Sequence, residues 1–368
     1  MHKLVFFIKS NAVMLIAAVA ALITSFIVPP DAEYIGYFDF RTLTCLFTVL
    51  AVVCALKNVR FFYTVAEWIV KHSRNTRMTA LSLVYITFIG SMLIANDMAL
   101  LTFLPLGYYV LVSAGKEKYM CVVFILQNIS ANLGGMLTPF GNPQNLYLYS
   151  KFEIPDGEFI LIMLPLFILA VTLITIAVFI FIKPEAIEFK GIGKRLPAGR
   201  VSLYLVLFAL AILCVFRAVP YQIALVVIPI VILFADRSAL AKVDYGLLLT
   251  FVFFFIFSGN MARIDAVREL LTALLDKSTL AVSTLSCQLI SNVPSAILLS
   301  QFSDNYRELL MGVNIGGCGT LISSLASLIT FREYCDHNPG KAGSYITVFS
   351  AFNFAFLAIM LGFAFVIL

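Results

Sequence analysis

The chemistry open to this chain lies in neutral oxygens and amides set inside apolar sequence. Asn132-Leu133-Gly134-Gly135-Met136-Leu137-Thr138 and Asn314-Ile315-Gly316-Gly317-Cys318-Gly319-Thr320 are versions of one another, 182 residues apart. The first continues as Pro139-Phe140-Gly141-Asn142-Pro143-Gln144-Asn145 and the second as Leu321-Ile322-Ser323-Ser324-Leu325-Ala326-Ser327. Glycine pairs and prolines break a helix. Lipid offers the freed backbone groups no partner, so such a break must face protein or a water-filled cavity. Uncharged oxygens and unwound carbonyls coordinate a hard cation such as sodium. Hydroxyls, amides and the N–H groups of half-helix N-termini bind an anionic group. One cavity could hold both ions, each neutralising the other.

Two apolar hairpins, near 79–114 and 279–304, each carry a central asparagine: Asn96-Asp97 in the first and Ser291-Asn292-Val293-Pro294 in the second. Their tips bring Asn96, Ser291 and Asn292 to the depth of the breaks. Asp97 is the one acid deep in a hydrophobic hairpin. An ionised carboxylate there must bind a cation, take a proton or meet a partner; the alternative is a wet tip at which Asp97 caps the following helix. For scattered Ser and Thr the plainer reading is packing between helices.

The elements that must position these groups follow from composition. Hydrophobic residues make up 61% and charged residues 12% of 368, against about 25% charged in a soluble domain. The mean hydropathy is +1.00. The chain therefore reads as an all-α membrane protein. Spans fall near 11–29, 40–57, 119–150, 158–182, 201–216, 219–235, 244–260, 306–331 and 345–368, about nine at roughly 20 residues each. Those at 119–150 and 306–331 are the broken ones. The first follows His2, Lys3 and Lys9 but lacks a small-x-small cleavage site and is read as retained. The stretch 60–71 is amphipathic and lies along the interface. With the N-terminus cytoplasmic and the C-terminus extracytoplasmic, most of the 25 Lys and Arg residues, including Lys190, Lys194 and Arg195, fall in inside loops. The hairpins then re-enter from opposite sides.

Three correspondences keep their order along the chain: Phe38-Asp39-Phe40 with Val243-Asp244-Tyr245, Leu93-Ile94-Ala95-Asn96 with Leu289-Ile290-Ser291-Asn292, and then the glycine motifs. We read 1–182 as one inverted repeat, 183–218 as a cytoplasmic linker with an extra span, and 219–368 as the second repeat. Paired helix breaks of this kind point to the binding site of a secondary transporter. The seven cysteines show no C-x-x-C spacing, and the three histidines have no metal-ligand pattern. Walker, G-x-S-x-G and zinc motifs are missing from the sequence, so no enzyme activity or cofactor is expected. The net charge of +5 is accounted for by loop residues facing a membrane, without nucleic acid.

At these residues the chain resembles the ion transporter superfamily, and within it the divalent anion to sodium symporters and citrate-transporter-like permeases. The resemblance is carried by Asn96 with Leu104-Pro105-Leu106 beyond it, by the N-x-G-G-x-x-T-x-x-G-x-P-x-N run from Asn132 to Asn145, and by Ser291-Asn292 ahead of the break from Asn314 to Ser327. It implies an elevator mechanism, commonly in a homodimer in the plasma or inner membrane, with sodium or protons as coupling ion. By position it implies ion binding at Asn96, Asp97, Asn132, Gly134, Thr138, Ser291, Asn292, Asn314 and Gly316. It implies binding of a small anion, a di- or tricarboxylate, at Asn96, Asn142, Pro143, Asn145, Asn292, Thr320, Ser323 and Ser324. The tips depart from the usual Ser-Asn-Thr, reading Ala95-Asn96-Asp97 and Ser291-Asn292-Val293. The Asn-Asp tip resembles arsenite permeases and some sodium to proton antiporters, an alternative in which Asp97 is the proton-linked group. A non-transporting membrane scaffold is a third reading.

Overall fold

The computed structural model describes residues 12–186 and 196–368. His2, Lys3, Lys9, Lys190, Lys194 and Arg195 lie outside the described residues, as does the start of the first expected span. The structure is nearly all helical. In chain order the helices are α1 (Ala12–Ile27), α2 (Phe40–Asn58), α3 (Phe61–Lys71), α4 (Thr76–Ile94), α5 (Asn96–Ser113), α6 (Met120–Gly134), α7 (Pro143–Lys151), α8 (Asp156–Phe181) and α9 (Ala198–Val215). They continue with α10 (Tyr221–Ala235), α11 (Arg237–Ala241), α12 (Tyr245–Ala262), α13 (Asp265–Lys277), α14 (Thr279–Ile290), α15 (Asn292–Leu299), α16 (Tyr306–Ile315), α17 (Leu325–His337) and α18 (Ala342–Ile367).

Among the described residues seven helices are long and apolar enough to cross a membrane: α2, α4, α8, α9, α12, α18 and the stretch Glu117–Leu137 that contains α6. Helices α1, α10 and α14 are apolar but shorter. The hairpins are unequal. The arms α4 and α5, at 19 and 18 residues, each reach ~28 Å, whereas α14 at 12 residues reaches ~18 Å. The base of the first hairpin therefore stands further from the tip than that of the second.

Local sequence explains where these helices begin. Asp39 and Asp244 cap α2 and α12 in the same way, each accepting the N–H three residues on, from Thr42 and Leu247, at 2.9 Å. Asn75, Ser278, Asn305 and Ser324 cap α4, α14, α16 and α17 with their side-chain oxygens. After each aspartate the same order of elements recurs: a long helix, a short amphipathic one (α3 or α13), a hairpin, a broken helix and a long helix. Helix α2 ends where α12 begins, with Lys242 Nζ donating to Asn58 Oδ1 at 2.7 Å, so this matched pair runs antiparallel.

Packing exchanges partners between the halves. Helix α1 lies along α12, and α10 along α2, with α9 against α2 and α10. The hairpins and broken helices form a second body in which α4, α5, α6 and α17 pack together beside α14, α15 and α16. Polar clasps close the ends. Lys116 and Lys118 pair with Glu185 at 2.7 and 2.5 Å, and Arg77 Nε donates to the Ile182 carbonyl at 2.8 Å. Elsewhere Arg217 donates to the carbonyls of Tyr149, Glu153 and Ile154, and Arg263 pairs with Asp31 at 2.7 Å. All seven cysteines are free.

Candidate functional site

Both hairpin tips have one backbone geometry. Ala95 (φ 65°, ψ 152°) and Ser291 (φ 75°, ψ 161°) occupy a region that residues with side chains rarely adopt. The turn is held by the asparagine that follows: Asn96 Oδ1 accepts the Asp97 N–H and Asn292 Oδ1 accepts the Val293 N–H, both at 2.9 Å. The broken helices are also alike. α6 stops at Gly134 and the chain restarts as α7 behind Asn142; α16 stops at Ile315 and restarts as α17 behind Ser324. Thr138 donates its hydroxyl to the Met92 carbonyl at 2.8 Å, and Thr320 donates to the Gln288 carbonyl at 3.1 Å. Each threonine thus ties its break to the last turn of the first hairpin arm.

At the centre the halves trade hydrogen bonds. Asn142 Nδ2 donates to Asn314 Oδ1 at 3.3 Å, while Ser324 Oγ donates to Asn132 Oδ1 at 2.8 Å. Asn142 and Ser324 occupy matching positions, as do Asn132 and Asn314, so each break is closed by a group from the other half. Asn96 Nδ2 also reaches Asn132 Oδ1 at 3.1 Å, and Asn314 Nδ2 reaches Asn145 Oδ1 at 2.6 Å. On the second tip the Asn292 N–H and the Ser291 hydroxyl both donate to the Ser323 carbonyl, at 3.0 and 3.2 Å. These two bonds fix the second hairpin against the N-cap of α17. Asn96, Asn132, Asn142, Asn145, Asn292, Asn314, Ser323 and Ser324 are all buried.

Four helix N-termini, those of α5, α7, α15 and α17, meet this network through Asn96, Asn142, Asn292 and Ser324. Each contributes partial positive charge of up to about half an elementary charge. Neutral amides and hydroxyls surround them, and Asp97 stands in the first turn of α5. Its Oδ1 is enclosed without a hydrogen-bond partner, as is Asn142 Oδ1. The arrangement can hold an anion against N–H groups and a small cation against carbonyl and amide oxygens.

Close packing explains the glycines. A Cβ on Gly134 would lie 2.6 Å from Ser91 Oγ and closer still to the Phe88 carbonyl, and one on Gly316 would lie 2.7 Å from Cys287. Ser91 and Cys287 are matching positions on α4 and α14, so each glycine lets its broken helix touch its hairpin. Pro143 opens α7 at a position where no N–H is needed.

Hydrogen bonds join Asn96, Asn132, Asn142, Asn145, Asn314 and Ser324, and tie Ser291 and Asn292 to Ser323, whereas Thr138 and Thr320 bond to hairpin carbonyls and Asp97 Oδ1 has no partner. Thr138 and Thr320, given different roles from sequence, occupy equivalent places. Sequence reasoning misses Gln288 and Asn128, and notes Ser327 only as the end of the polar run after Thr320. Asn128 Nδ2 donates to Ser327 Oγ at 3.3 Å across the halves. Gln288 spans the second break, its Nε2 donating to the Gly316 and Cys318 carbonyls, both at 3.0 Å. A glutamine one turn before a hairpin tip, in otherwise apolar sequence, is the available signal. A cavity of about 370 Å³, lined by Asp39, Arg41, Tyr147, Lys151, Phe255 and Gln301 among others, lies where α2 and α12 meet α7.

A family model described as citrate transporter matches residues 3–306. An uncharacterized transporter of Methanocaldococcus jannaschii is 31% identical over 302 residues, covering 82% of each chain. The inner membrane protein YbiR of Escherichia coli is 26% identical over 321 residues, covering 84% of each chain. A silicon efflux transporter of Oryza sativa is 30% identical over 159 residues, covering 43% of this chain and 32% of that one.

Proposed function

The chain belongs to the citrate transporter family, and on that premise we propose that it is a secondary transporter of a small anion, a di- or tricarboxylate, coupled to sodium or protons. It is an integral membrane protein and not an enzyme. The observation that carries the substrate reading is the exchange of Asn142 to Asn314 and Ser324 to Asn132 at the meeting of four helix N-termini. A carboxylate suits the N–H groups and hydroxyls there, and a cation suits the carbonyls freed by the two breaks. Opposed repeats that share one site supply alternating access when the hairpin body moves against α1, α2, α10 and α12 as an elevator. The proposed setting is the plasma or inner membrane with the N-terminus cytoplasmic and the C-terminus outside, in a homodimer.

Uptake of labelled succinate and citrate into proteoliposomes, under an inward sodium gradient or an inward proton gradient, tests this. Accumulation under one gradient, lost in Asn132→Ala and Asn314→Ala, is the expected result. No carboxylate movement under either gradient sinks the substrate reading. The unpartnered Asp97 Oδ1 favours one second reading, an efflux antiporter for sodium or an arsenite-like solute with Asp97 carrying the proton. There Asp97→Asn abolishes coupling, whereas an Asp97 that only caps α5 leaves partial activity.

A further inference from the structure

Among the matched positions at which the two halves differ, three bear on cation binding. Where the first half has Met92, Asp97 and Leu137, the second has Gln288, Val293 and Gly319. Gln288 Nε2 lies within hydrogen-bond distance of three carbonyl oxygens, those of Thr284 at 3.2 Å and of Gly316 and Cys318 at 3.0 Å each. Gly316 and Cys318 are in the helix break, where carbonyls are free of helical partners. The other end of the amide is used as well: Gln288 Oε1 accepts the Thr320 N–H at 2.9 Å. Gly319, at φ +118°, passes so close that a Cβ would collide with Gln288 Oε1, so the glutamine can lie as it does only beside a glycine.

An amide NH2 carries partial positive charge and only donates. Converging carbonyls around it form the kind of shell that a hard cation takes. In the first half the corresponding residue, Met92, ends in a thioether that cannot donate; there the amide of Asn145, from α7, donates to the Gly135 and Met136 carbonyls at 3.2 and 3.4 Å, and the Gly134 carbonyl, which matches that of Gly316, is not among its acceptors. The acid is also on that side only, since Val293 replaces Asp97. We propose that the Gln288 amide is a tethered substitute for a cation, so that the second repeat binds none and the coupling cation is taken by the first repeat alone. The proposal rests on the transporter reading of the site and fixes where its coupling ion binds.

Cation binding is measured without transport, so failure of the carboxylate reading leaves the result interpretable. The melting temperature of the purified protein is followed as sodium chloride replaces choline chloride at constant ionic strength. Gln288→Ala and Gln288→Met uncover the carbonyls; both are expected to be destabilised in choline and rescued by sodium. Their slope of Tm against log sodium should exceed that of the unsubstituted protein by roughly the contribution of one added site. Gln288→Glu, which adds a fourth oxygen, is expected to show the steepest sodium dependence. A sodium response unchanged by all three substitutions, or variants that cannot be recovered at any sodium concentration, would give Gln288 a purely structural role and overturn the proposal.

Discussion

At the residue scale, the two hairpin tips show local strain kept for the sake of position. Ala95 and Ser291 take a backbone conformation costing about 1–3 kcal/mol each. The asparagine that follows each one is thereby aimed into the polar centre. Ala95→Gly should relieve the strain while adding about 0.4–1 kcal/mol of unfolded-state entropy. The expected outcome is a rise in Tm of the purified protein; an unchanged or lower Tm would mean that the tip is not strained. Glu185, outside the spanning helices, gives a pH prediction. Hydrogen bonds from Lys116, Lys118 and Tyr119 hold its carboxyl down to about 2 from 4.5. A carboxylate depressed by folding stabilises the fold above its unfolded pKa, and that contribution fades as pH falls toward the folded value. The Tm gap between the protein and Glu185→Gln should therefore stay level from about pH 6 to 8 and shrink below about 4.5. A gap that widens on acidification would contradict the clasp.

At the element scale, contact between each broken helix and its hairpin depends on a missing side chain. Gly134 faces backbone on α4, which cannot swing aside as a side-chain end can. Gly134→Ala should cost about 1–3 kcal/mol as an overpacked contact, whereas Gly157→Ala, with nothing within 4 Å of the added carbon, should be neutral within error. Thermal unfolding of the pair decides it, and equal Tm values would mean that α6 can shift without penalty. Much of this layer is legible in the residues. Glycine, proline and asparagine place the breaks, which lie at 135–142 and 316–324, and the hairpins expected near 79–114 and 279–304 run over 76–113 and 279–299. Helix α13 escapes a sequence reading because its charged residues Arg268, Glu269, Asp276 and Lys277 resemble a loop between apolar segments, although they share an amphipathic helix. Gln288 escapes because a lone glutamine in an apolar arm is silent until its carbonyl partners, 28 and 30 residues on, are brought beside it. The common role of Thr138 and Thr320 is hidden for the same reason: their acceptors are backbone atoms, which residue types do not report.

At the scale of the whole molecule, the packing between the two bodies is less symmetric than the bodies themselves. Helix α12 packs on α15 and α2 packs on α7. The matching contacts, α2 on α5 and α12 on α17, are at most marginal. Two repeats with one sequence logic should be able to form either set, so on the proposed elevator cycle this conformation is one of a pair. In the other, α2 would meet the first hairpin and α12 would meet α17. Beside these contacts the rings of Tyr147 on α7 and Phe255 on α12 also meet across the two bodies, with centroids 5.6 Å apart. In a variant with the native cysteines replaced, Tyr147→Cys and Phe255→Cys joined by a short bifunctional reagent should hold the bodies in this arrangement. Transport is expected to fall to background on cross-linking and to return when a cleavable linker is cut, while either single cysteine is unaffected by the reagent. Full transport with the link in place would show that α7 and α12 stay together throughout the cycle, and that access alternates by movement of the hairpins alone.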